Sequence, residues 1–169
     1  GPVFAAAVIL PEGCEIEGLN DSKKISEKKR EALFDVIKEK AVSWCVASVD
    51  EKTIDEINIL QATYEAMRDA VAALDVLPDV LLNDAVTIPG LSMKQVPIVK
   101  GDAKSISIAA ASIVAKVTRD RMMVLYEEEF PGYGFASNKG YGSAAHIQAL
   151  KELGPTILHR RSFIGNFIE

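Results

Sequence analysis

Two acids stand where this sequence could do chemistry. Asp84 closes the apolar run Val80-Leu81-Leu82-Asn83, and Asp102 follows a second run, Val96 to Val99, after Lys100 and Gly101. Pro89 and Gly90 break the chain between the runs, so two short buried strands are expected. Each acid then lies at, or just beyond, the end of a strand, where parallel α/β sheets place their ligand sites. Two carboxylates converging there repel each other unless a cation lies between them, and oxygen-only ligands suit Mg²⁺ or Mn²⁺ and not zinc. Two plainer readings use the same residues: a pair of separate loop acids or, for Asp102, an acid at the positive end of a helix macrodipole.

The elements around these acids can be read from periodicity. Behind Asp102, Ile106 to Tyr126 carries almost no charge before Lys116, which suits a helix packed on several sides. Small residues at 109 to 112 and at 115 let a neighbouring backbone approach it, and Arg119, Asp120 and Arg121 return its far end to water. Asp120 is expected to pair with Arg119 or Arg121, or to face solvent. Upstream come a strand from Val3 to Leu10, a helix from Glu27 to Lys40 with Ser26 as its N-cap, a strand from Val42 to Val49 paired antiparallel with the first, and one helix from Thr53 to Leu74. Glu56, Asn58 and Gln61 read as surface or capping groups. Downstream, the glycines on both sides of Tyr141 leave its ring accessible to a stacking partner, although a tyrosine packing a loop onto the core fits equally. A last helix, Ala144 to Leu153, is capped by Ser143 and ended by Gly154 and Pro155. His146 and His159 read as surface or packing histidines. The order strand, helix, strand, helix, strand, strand, helix, helix gives an α/β domain.

With 169 residues, 49% of them hydrophobic, one domain over 1–169 with a single core is expected. Cys14 and Cys45 form neither a metal-ligand spacing nor a disulfide framework, so a reducing cytoplasm is the simple localisation. Val3 to Leu10 is too short to span a bilayer and lacks a basic flank, so no membrane partner is expected. A net charge of −5 argues mildly against non-specific nucleic-acid binding, yet the cations cluster. Lys23, Lys24, Lys28, Lys29 and Arg30 form one group, Arg119 and Arg121 a second, and Lys139, His159, Arg160 and Arg161 a third. Each alone reads as a solvated face.

Six collinear stretches together resemble one family, ribonuclease HII. They are Leu19 to Glu31 (with Asn20-Asp21-Ser22-Lys23-Lys24), Ile54 to Thr63, Lys100-Gly101-Asp102, Ala110 to Asp120, Phe135 to Gly142 (with Gly140-Tyr141-Gly142), and His159-Arg160-Arg161-Ser162-Phe163. The resemblance implies a ribonuclease H-like fold with a mixed five-stranded sheet flanked by helices. It implies an endonuclease that cuts RNA in RNA·DNA hybrids, including single ribonucleotides embedded in duplex DNA, with Mg²⁺ or Mn²⁺ and a place in DNA replication and repair. On this resemblance Asp84 and Asp102 are metal ligands, Asn20, Ser22 and Lys23 contact the substrate backbone, and Tyr141 stacks on the sugar next to the ribonucleotide. The family also begins with a strand carrying an Asp-Glu pair and a Gly-Arg-Gly turn, upstream of the Gly-Pro with which this sequence opens. The expectation is therefore an N-terminally incomplete domain, without its first, central strand, inactive as it stands and a monomer when complete. Ribonuclease HIII and a non-catalytic hybrid-binding remnant are the rival readings.

Overall fold

The computed structural model describes residues 1–19 and 24–168. Val3–Ile9 forms β1 and Ser43–Val49 forms β2, antiparallel in the register Val3↔Val49 to Ile9↔Ser43, as expected. Between them α1, Glu27–Lys40, begins where the Ser26 hydroxyl accepts the Lys29 N–H. It buries Leu33, Phe34 and Ile37 in one core cluster with Ile113, Val114 and Val117.

The single helix expected over 53–74 is two helices, α2 (Glu51–Ile57) and α3 (Ile59–Ala72). Asn58 separates them with φ 72° and ψ 166°, a positive-φ conformation outside the helical region that no α-helix continues through. Its side chain accepts the Gln61 N–H at 3.0 Å and so opens α3, while Asp50 accepts the Thr53 N–H at 2.8 Å and opens α2. The apolar spacing runs on across Asn58, which is why periodicity alone merges the two.

Val80–Asp84 (β3) and Lys94–Ile98 (β4) pair in parallel, with Asp84 opposite Ile98. The strands are less buried than their composition suggests. Leu81 is buried, whereas its neighbours Val80 and Leu82 on the opposite face are 44% and 43% exposed, the alternation of a strand covered on one side. A single turn, α4 (Gly101–Lys104), leads into α5 (Ile106–Glu129), which runs through the molecule and buries Ile108, Ala109, Ala110, Ile113, Val114, Val117 and Met123. The cap of α5 is Ser105, whose Oγ accepts the Ile108 N–H at 3.3 Å, and not Asp102. The chain ends through α6 (Phe135–Asn138), α7 (Ala144–Leu153), α8 (Arg161–Ile164) and a 3-10 turn at Gly165–Phe167.

Among the described residues the four strands make two separate two-stranded sheets, β1–β2 and β3–β4. Residues of β1 and β3, and none of β2 or β4, line a cavity of about 590 Å³ between them. Ser107, Ile108 and Ala111 of α5 and Met67 and Val71 of α3 line it as well. No helix among the described residues is long and apolar enough to cross a membrane.

Candidate active site

Asp84 and Asp102 are brought to one end of the β3–β4 sheet by an unusually close backbone approach. The Gly101 N–H donates to Asp84 Oδ1 at 2.9 Å, so the residue before Asp102 is tied directly to the Asp84 carboxylate. A Cβ on Gly101 would lie 2.6 Å from Ile108 Cδ1 and 3.3 Å from the Asp84 Cα, which leaves room for glycine alone. The backbone turns sharply beside both acids. Ala85 (φ 61°) follows Asp84 while its N–H extends the ladder to the Ile98 carbonyl at 2.9 Å, and Lys100 (φ 54°) precedes Gly101. Left-handed residues other than glycine cost roughly 1 to 2 kcal/mol each, and such strain persists where surrounding structure over-determines it. Here the Gln95 side chain supplies that constraint, accepting from Ile88 N–H (2.7 Å) and Asn83 Nδ2 (2.8 Å) and donating to the Ile88 carbonyl (2.8 Å).

Asp84 is exposed and Asp102 half-buried, at the carboxyl end of parallel strands. Carboxylate oxygens such as theirs suit a hard divalent cation. The described residues supply no group of three or more His, Cys, Asp or Glu arranged to hold a metal. The two carboxylates fit a divalent metal ion by the chemistry of their oxygens.

Tyr141 is 61% exposed and stands on a loop held from several sides. Its N–H donates to the Asn138 carbonyl, Lys139 beside it is left-handed (φ 52°), and the Arg119 Nη1 donates to the Lys139 carbonyl at 2.7 Å. Lys116 Nζ and the Arg119 guanidinium each lie 5.5 Å from the Tyr141 ring centroid. The expectation for Asp120 is corrected: it is buried, 5% exposed, and pairs with Lys116 at 2.9 Å, one helical turn away, and not with either arginine. Arg121 instead turns away to Glu31 of α1. The signal for Lys116 and Asp120 was their i, i+4 spacing.

Of the two readings given for the histidines, packing holds and surface does not. His146 and His159 are 8% and 6% exposed and face each other, Nε2 to Nε2, at 3.0 Å, brought together by the turn between α7 and α8. The His-Arg-Arg-Ser-Phe segment is fixed from the other side by Asp55 of α2, whose carboxylate accepts the Arg161 and Ser162 N–H groups and the Ser162 hydroxyl. Desolvation raises the Asp55 pKa, but these hydrogen bonds outweigh it and the net shift is downward. Asn20, Ser22 and Lys23 lie outside the described residues.

A family model described as Ribonuclease HII matches residues 1–166. The chain belongs to the ribonuclease HII family. It is 70% identical over 166 residues to Ribonuclease HII of Lachnoclostridium phytofermentans, covering 98% of this chain and 65% of that protein. It is 57% identical over 169 residues to Ribonuclease HII of Ruminiclostridium cellulolyticum, covering 100% of this chain and 66% of that one. The chain thus spans a little under two thirds of the length of these ribonuclease HII relatives. Among solved structures it resembles the ribonuclease HII of the PCNA:RNase HII complex from Archaeoglobus fulgidus, with TM-score 0.78 and 26% identity over 100% of this chain and 90% of that chain. It also resembles the ribonuclease H2 from Pyrococcus horikoshii, with TM-score 0.74 and 25% identity over 96% and 93%. The α/β architecture is therefore that of ribonuclease HII, a ribonuclease H-like fold of mixed sheet and helices.

Proposed function

We propose that residues 1–169 form most of one catalytic domain of a cytoplasmic endonuclease, a monomer when complete. It cleaves the RNA strand of RNA·DNA hybrids and single ribonucleotides in duplex DNA, leaving 5′-phosphate and 3′-hydroxyl ends. The observation that supports this reading is the hydrogen bond from Gly101 to Asp84, which ties the residue before Asp102 to the Asp84 carboxylate at the carboxyl end of parallel strands. These two acids are two of the carboxylates for Mg²⁺ or Mn²⁺. Such ions, when bound, activate a water and steady the leaving 3′ oxygen. The chain's own residues hold the substrate: the exposed Tyr141 ring offers a stacking surface for the sugar beside the ribonucleotide. Asn20, Ser22 and Lys23 contact the nucleic-acid backbone, Lys23 as a point charge on phosphate.

The other two carboxylates come with a fifth, central strand carrying an Asp-Glu pair, seated between β1 and β3. Support for that strand is the cavity lined by β1 and β3 alone, because backbone donors and acceptors on both strands need partners. The test is to assay the 169-residue chain with Mn²⁺ on a duplex containing one ribonucleotide, beside the same chain preceded by the family's strand. The expected result is turnover by the extended form only. Comparable turnover by both overturns the assignment of the absent pair, and none by either overturns the endonuclease reading.

A further inference from the structure

The buried histidines form one continuous hydrogen-bonded path from the turn after α7 to the main chain of Tyr141. Thr156 N–H donates to His159 Nδ1 at 2.9 Å, and the Thr156 hydroxyl lies 3.0 Å from the same nitrogen. His159 Nε2 meets His146 Nε2 at 3.0 Å, and His146 Nδ1 meets the Tyr141 carbonyl at 2.8 Å.

The two ends of this path fix every proton in it. A backbone N–H can only donate, so His159 Nδ1 accepts and the His159 proton sits on Nε2. A carbonyl can only accept, so the His146 proton sits on Nδ1 and its Nε2 accepts. The two ends are independent of each other, and they agree on one arrangement: both rings neutral, with His159 Nε2–H donating to His146. A second proton on His146 would set two N–H groups against each other, and one on His159 would face the Thr156 N–H. The surroundings favour a neutral His159. Burial first, then the neighbouring His146 and Arg161, hold His159 down to about 4. Tyr133 and Phe135 close the rings in, with centroids 5.2 Å from His159 and 5.5 Å from His146 respectively.

We infer that His146 and His159 are positioning residues for substrate recognition, a neutral two-histidine relay that holds the Tyr141 main chain so that its exposed ring meets the nucleic acid. This rests on the reading of Tyr141 as a substrate contact. The Tyr141 carbonyl takes a second hydrogen bond from Ser143 N–H, the cap of α7, so the relay sets where the loop sits relative to that helix. Without the His146 donor the loop keeps its capping turn and loses its tie to the buried side.

The full-length protein carrying His146→Leu, His146→Asn, His159→Gln and Tyr141→Ala, each singly, tests this. The asparagine of His146→Asn can place an amide N–H near the Nδ1 position, and the glutamine of His159→Gln can place one near Nε2. Nitrogen-15 NMR of the unmodified protein reads the tautomers directly: Nδ1–H on His146 and Nε2–H on His159 are expected, and any other pair overturns the relay. Affinity is then compared between a duplex with one ribonucleotide and the same duplex all in DNA, at a temperature where every variant is folded by circular dichroism. His146→Leu should lose about 5-fold in the ratio of the two affinities, the scale of one hydrogen bond, and His146→Asn should recover most of it. A stability loss in His146→Leu with an unchanged ratio overturns the positioning role. If Tyr141→Ala leaves the ratio unchanged, it is the substrate-contact reading that has failed, and the purpose of the relay with it.

Discussion

Replacing Asp84 by Asn or by Ala separates what its oxygen does for the fold from what its charge does for a cation. In the structure Oδ1 accepts the Gly101 N–H at 2.9 Å on an exposed carboxylate. Asn keeps an acceptor in that position, so Asp84→Asn should cost only a few tenths of a kcal/mol of stability. Ala leaves the N–H to water, for a loss of about 1 kcal/mol, the usual net value of one hydrogen bond. With a urea slope of about 2 kcal/mol per molar, that moves the midpoint by about 0.5 M. The charge is a different matter. A carboxylate about 4 Å from a divalent cation contributes about 2 kcal/mol even in a water-like dielectric and more near a protein surface, so either variant should weaken Mn²⁺ binding at least ~30-fold. Urea denaturation and calorimetric titration of Mn²⁺ into the full-length protein measure the two effects separately. Unchanged Mn²⁺ affinity in Asp84→Asn would reduce Asp84 to a loop acid that caps Gly101. A stability loss in Asp84→Asn equal to that of Asp84→Ala would refute the claim that the oxygen contact holds α4 in place.

Gly101→Ala should destabilise by about 1 to 3 kcal/mol through overpacking, and Ile108→Val in the same background should recover part of it by removing the Cδ1 atom met at 2.6 Å; thermal unfolding of the single and double variants checks this. Tyr141→Ala should reduce cleavage of a single embedded ribonucleotide more than of a long hybrid, since stacking is worth about 1 to 3 kcal/mol and a lone junction sugar has few other contacts; equal losses in initial rates would count against it. Acidification should destabilise the fold between pH 6.5 and about 4, because His159 is held down to about 4 and the unfolded chain binds the extra proton first. The contribution is present above 6.5 and lost as the pH falls, about 1 to 2 kcal/mol after discounting for solvent, and His159→Gln should flatten that part of the urea midpoint against pH. Asp50 and Asp55, both lowered below 3.8, act only at more acid pH.

Local chemistry determined much of this protein from sequence. Ser26, Asp50 and Ser143 each cap a helix through a contact three residues long, and the β1–β2 pairing and the strands β3 and β4 follow from alternating and continuous apolar runs. The placement of Asp84 and Asp102 at strand ends was legible for the same reason, since a strand's end is marked by where its apolar run stops. What the sequence left open depends on groups distant along the chain. Asn58 splits a helix because its backbone takes φ 72° and ψ 166°, a choice that periodicity does not encode. Asp120 reaches Lys116 and not its arginine neighbours because α5 points those arginines to the Lys139 carbonyl and to Glu31. Only the tertiary structure brought His146 against His159, for two rings on different segments meet when α7 and the following turn pack on Tyr133 and Phe135.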